Sequence, residues 1–72
     1  MNAEYTGKKI AELRKEKNLT QKELAKELHV TDKAVSKWER GLSLPDISIL
    51  IPLSEILNVS LYDLLKGEDV NE

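Results

Sequence analysis

Cysteine is absent from this chain of 72 residues, which removes disulfides and thiolate metal sites together. Histidine occurs once, as His29, and a lone histidine without neighbouring ligands reads as structural rather than metal-binding or catalytic. No apolar run is long enough to suggest a membrane span, and nothing resembles a signal peptide. The expectation is a cytoplasmic protein without a membrane partner. A catalytic site is equally hard to assemble: no nucleophile stands at a plausible spacing from a base, and there is neither a metal-ligand cluster nor a phosphate-cradling loop. A single small domain also leaves little room for a cleft. No enzyme activity, cofactor, metal or small-molecule ligand is expected.

What the chain does have is a rapid succession of helix signals. In Thr20-Gln21-Lys22-Glu23 the Thr20 hydroxyl and Glu23 carboxylate can each satisfy an orphan backbone N–H, and Leu19 and Leu24 occupy the staple positions around this capping box. A helix from Thr20 to Leu28 follows. Thr31 repeats the cap, with Val30 and Val35 as staple and Ala34 where the box acid would stand, and opens a helix that reaches Arg40. Gly41 ends it, since glycine readily takes the left-handed conformation that closes many helices. Only His29 and Val30 separate the two, which is the spacing of a helix-turn-helix.

The second of these helices divides by face. Val35, Trp38 and small Ala34 form an inner side; Asp32, Lys33, Ser36, Lys37 and Arg40 form an outer one. Lysine and arginine can neutralise phosphates or donate to guanine O6 and N7, while serine and aspartate can address other base edges. The residues alone leave two readings of this row, a DNA-contacting edge or a solvated charged face. Trp38 is expected in the core, because it lies three residues from Val35 and opposite Lys37.

The net charge of −2 conceals an asymmetry. Residues 1–42 hold ten Lys and Arg against seven Asp and Glu, a surplus of +3, whereas residues 43–72 hold one Lys against six acids, a deficit of −5. The positive part contains the helix-turn-helix, and local charge sets the local field.

Around this centre, Ile10, Ala11 and Leu13 indicate a first helix from about Thr6 to Lys17, ended by Asn18. Pro45 suits the first turn of a fourth helix reaching about Leu57, which Pro52 would kink unless the helix begins late. In it Ile47, Leu50, Leu53 and Leu57 trace one face, while Ile49, Ile51 and Ile56 fall partly outside it and suggest a dimer interface. Ser60-Leu61-Tyr62-Asp63 reads as another capping box opening a short fifth helix that stops before Gly67. The fold class is therefore all-α, with five helices over residues 1–67 and a frayed acidic tail over 68–72.

The segments Thr20 to Leu28, Val30-Thr31 and Val35 to Gly41, with Pro45, Leu50, Leu57, Val59-Ser60-Leu61 and Asp63-Leu64-Leu65, resemble the XRE family of helix-turn-helix domains, of Cro and phage-repressor type. The likeness spans about residues 6 to 67. It implies a five-helix repressor-like domain that lays helix 31–40 in the major groove of double-stranded DNA, as a homodimer on an inverted repeat, to regulate transcription, with repression the expected role. Transferred position by position, it assigns Asp32, Lys33, Ser36 and Lys37 to base edges, Gln21, Thr31 and Arg40 to phosphates, and Arg14 to an ion pair with Glu39. Two positions depart from the family. His29 stands where glycine is common, a turn position that histidine tolerates better than most residues. Asp32 suits a cytosine amino group or simply favours the positive helix end. A competing reading keeps the fold as a protein-interaction module or antitoxin-like regulator subunit, binding a partner through the apolar surface of helix 46–57.

Overall fold

The computed structural model describes residues 2–66. Its five helices are α1 (Ala3–Glu16), α2 (Gln21–Leu28), α3 (Asp32–Glu39), α4 (Ile47–Leu57) and α5 (Leu61–Leu65), with no strand among the described residues. Each begins at a residue whose side chain accepts a backbone N–H: Asn2, Thr20, Thr31, Asp46 and Ser60. These caps satisfy donors that the helices themselves leave unpaired.

Four helix ends use one device. Asn18, His29, Gly41 and Asn58 all have positive φ, from 56° to 75°. The next residue's N–H then reaches back five residues, as Leu19 to Arg14, Val30 to Ala25, Leu42 to Lys37 and Val59 to Ser54, at 2.9–3.1 Å. These are Schellman closures. At three of them the apolar residue packs against the core and the following Thr20, Thr31 or Ser60 caps the next helix. Three residues thus end one helix and start another, which is why α2 and α3 stand so close in sequence. After Gly41 the pattern breaks: Leu42 is exposed, and a loop runs on to Asp46.

The core gathers Ile10 from α1, Leu24, Ala25 and Leu28 from α2, Val35 and Trp38 from α3, Leu50, Leu53 and Leu57 from α4, and Leu64 from α5. Each fully buried aliphatic side chain contributes about 1.5–3 kcal/mol relative to exposure. Helix α3 packs on both α1 and α2, and α5 packs on α1 and α4. Gly7 is buried where α1 meets α3, and a Cβ at that position would run into the Trp38 carbonyl oxygen. The two backbones approach closely because this residue has no side chain.

Several boundaries and faces differ from expectation. Helix α1 starts at Ala3 rather than Thr6, because Asn2 caps the Tyr5 N–H at 3.0 Å. Thr6 lies inside α1 and donates its hydroxyl to the Leu64 carbonyl at 3.0 Å. The adjacent Tyr5 hydroxyl donates to the Asp63 carbonyl at 3.1 Å, so α1 supplies donors to carbonyls of short α5. Asp46, not Pro45, opens α4: its carboxylate accepts the Ser48 N–H at 3.0 Å and leaves Pro45 buried just outside the helix. The helix continues through Pro52, its sixth residue, which has no N–H to donate to the Ser48 carbonyl.

Ile47 points outward at 60 % exposure instead of joining Leu50, Leu53 and Leu57. Of the three isoleucines assigned to an interface, Ile51 is 52 % exposed, but Ile49 and Ile56 are partly buried against the core. At Ser60 only half of the capping box forms: the hydroxyl accepts the Asp63 N–H at 2.9 Å. Aspartate is one methylene shorter than the glutamate of a full box, and Asp63 instead faces Lys66 at 3.8 Å. The expected tail over 68–72 lies outside the described residues.

Candidate nucleic-acid interface

Helix α3 is held from behind by Val35, fully buried, and Trp38, 6 % exposed. Its other side is free. Asp32, Lys33, Lys37 and Arg40 are exposed and Ser36 is half-buried, with no segment of the described chain lying over the row. The capped start of α3 is in place, with the Thr31 hydroxyl 3.1 Å from the Ala34 N–H, and the Gly41 closure ends it as expected. His29, exposed with φ 59°, is the turn residue between α2 and α3. Among the described residues no cluster of His, Asp and Glu could hold a metal.

Beneath this edge a hydrogen-bonded ion pair ties three helices together. Arg14 donates Nε to Glu39 Oε2 at 2.7 Å and an Nη to Oε1 at 3.0 Å, a bidentate pair with both side chains largely buried. The other Nη donates to the Leu19 carbonyl at 2.7 Å. Glu39 raises the Arg14 pKa, by hydrogen bonding first and then by charge, against the opposing effect of burial. The structure brings together Arg14 and Glu39, the two residues that the family resemblance pairs. The network also contains a member that sequence reasoning assigned only to phosphate: Gln21 donates Nε2 to Glu39 Oε1 at 2.9 Å. One amide proton of Gln21 is thereby committed and the other remains for an outside acceptor. Nothing in the local sequence announces the contact, because it joins positions on different helices.

The N-terminal ends of α2 and α3 line one open groove of about 710 Å³, bounded by Thr20, Val30, Thr31 and Asp32. Lys22 and Lys26, one turn apart on α2, form part of its wall and were passed over in the sequence. Two helix N-termini and two lysines therefore share a concavity with the carboxylates of Glu23 and Asp32, which offset the lysine charges. Arg40 lies at the opposite end of the α3 edge, with Nε directed to Ser36.

A capped helix pair with a three-residue turn, an apolar inner side and a polar, largely basic outer edge defines a helix-turn-helix domain. The chain belongs to that family, in its XRE branch: the helix-turn-helix family model matches residues 10–64. It is 42 % identical over 62 residues to the HTH-type transcriptional activator BcrR of Enterococcus faecalis, covering 86 % of this chain and 30 % of that protein. It is 35 % identical to the HTH-type transcriptional regulator YazB of Bacillus subtilis, covering 94 % of this chain and 99 % of that one. The crystal structure of the P22 c2 repressor with a synthetic operator superposes with a TM-score of 0.82 at 36 % identity, over 88 % of this chain and 96 % of that chain. The chain spans about a third to half of the first curated relatives it matches.

Proposed function

We propose that this chain is a sequence-specific DNA-binding transcriptional regulator, acting on the chromosome in the cytoplasm, by binding rather than catalysis. The observation that carries the reading is the free outer edge of α3, backed by Val35 and Trp38 so that it can enter a groove as a rigid unit. Asp32, Lys33, Ser36 and Lys37 meet base edges, and Gln21, Thr31 and Arg40 meet phosphates on either side. Its relatives include both an activator and a repressor, so the family accommodates either outcome at the promoter. Repression by operator occupancy needs only the domain described.

Two copies bind an inverted repeat, their α3 helices about 34 Å apart. Exposed Ile47 and Ile51, four residues apart on α4, form the apolar contact between them, in place of the trio Ile49, Ile51 and Ile56.

Selection from a random duplex library, followed by binding across a salt series, tests the reading. Enrichment of a palindrome, with affinity falling steeply as salt rises, is expected from several phosphate contacts. No enrichment at low salt, or an affinity indifferent to salt, transfers the function to the protein-interaction reading.

A further inference from the structure

The outer edge of α3 carries a hydrogen bond of its own. Arg40 folds back one turn, so that its Nε–H lies 3.1 Å from Ser36 Oγ and 3.3 Å from the Ser36 carbonyl oxygen. A serine hydroxyl has one proton to give and two lone pairs with which to accept. The guanidinium, which can only donate, takes one of those lone pairs. Among the described residues the Ser36 hydroxyl proton has no intramolecular acceptor. A cation bonded to the oxygen polarises the group, making it a better donor and a poorer acceptor. The neighbours on this face have fixed polarity: Lys33 and Lys37 only donate, and ionised Asp32 only accepts.

Building on the DNA-binding reading above, we propose that Arg40 is a positioning residue for base readout, setting Ser36 as a hydrogen-bond donor toward the major groove. The base edge facing Ser36 then offers an acceptor: guanine O6 or N7, thymine O4 or adenine N7. Cytosine, whose groove edge presents the N4 amino donor, is rejected there. With the two lysines, three of the four base-facing side chains donate. The half-site is read as a run of acceptor edges, with a single donor edge, cytosine N4 or adenine N6, under Asp32 at the start of α3.

The test is the base preference of variants on the operator enriched by the whole chain. Ser36→Ala locates the position, as the base pair at which preference flattens. There the unaltered protein is expected to discriminate against cytosine by about tenfold. Arg40→Met, which keeps the stem and removes every donor, is expected to flatten preference at that same base pair, in addition to any uniform loss of affinity. Both side chains lie outside the core, and an unchanged melting curve shows that each variant folds. The proposal is overturned if Arg40→Met lowers affinity equally on all sequences with the Ser36 position intact, since Arg40 then meets phosphate alone. It is also overturned if cytosine is preferred at that position, or if Ser36→Ala flattens none. Failure to enrich any sequence at low salt is a different result: it removes the DNA-binding reading itself.

Discussion

Helices α3 and α4 each bury one face in the same core, yet they turn opposite chemistry outward. Helix α3 exposes Asp32, Lys33 and Lys37, while α4 exposes Ile47 and Ile51. Their anchoring differs as well. Helix α3 is gripped through Gly7 of α1 and through the Arg14–Glu39–Gln21 network. Among the described residues no side-chain hydrogen bond links α4 to another helix; apolar packing holds it. Directional bonds fix orientation, which matters where donors must meet base edges within a few tenths of an ångström. Packing alone suffices for an apolar contact, which is not directional.

The sharpest way to break this contrast is Glu39→Ala. It leaves Arg14 largely buried without its carboxylate and releases Gln21, and removal of one partner from a buried pair costs about 3–5 kcal/mol. Chemical denaturation is expected to register that loss, and a change below about 1 kcal/mol would mean that the network does not anchor α3. Gly7→Ala comes next. The added methyl must push α1 away from the Trp38 carbonyl, at an expected cost of about 2–3 kcal/mol; an unchanged melting temperature would show that α1 can shift freely.

On the outward side, Lys33→Ala and Lys37→Ala are expected to leave folding intact and to weaken operator binding by about 1–3 kcal/mol where the residue reads a base. Competition against scrambled duplex separates loss of preference from a uniform decrease. The corresponding change on α4, Ile47→Ser with Ile51→Ser, is expected to alter stability by no more than about 0.5 kcal/mol, because both side chains already face water. It should nevertheless reduce cooperative binding to a two-half-site operator while sparing a single half-site; equal loss on both would place the α4 contact elsewhere.

The smallest effect concerns how α4 begins. Hydrogen bonds from the Ser48 hydroxyl, and then from its backbone N–H, hold the Asp46 carboxyl below its ordinary pKa. Because the folded-state value is depressed, this cap stabilises the protein above the ordinary aspartate range. That contribution disappears as pH falls through the depressed value. Titration followed at the Ser48 amide should therefore show a midpoint more acidic than a free aspartate, and a midpoint at or above the usual range would remove the cap.

Much of this was legible in the chain because the signals are local. The Thr20–Glu23 box, the Thr31 cap, the Gly41 stop and the placement of Val35 and Trp38 each depend on residues within one or two turns. The exposed edge of α3 follows from them by helical periodicity. The Arg14–Glu39 pair was accessible only through family resemblance, since its members lie 25 residues apart. Gly7, the Thr6 and Tyr5 bonds to α5, and the Gln21 contact were not legible. Ile47 was misplaced because α4 is apolar on several sides, and periodicity cannot rank faces that are all hydrophobic.

Capping chemistry and the alternation of apolar with charged positions were therefore enough to set the number of helices, most of their limits and the side of α3 that faces outward, because backbone hydrogen bonds and short-range packing are settled between near neighbours in the chain. How closely α1 approaches α3, which isoleucines of α4 stay in water, and which partner each polar group on α2 and α3 finds were decided by the packed helices. Those outcomes depend on distances between residues far apart in sequence, and such distances exist only once the core has closed.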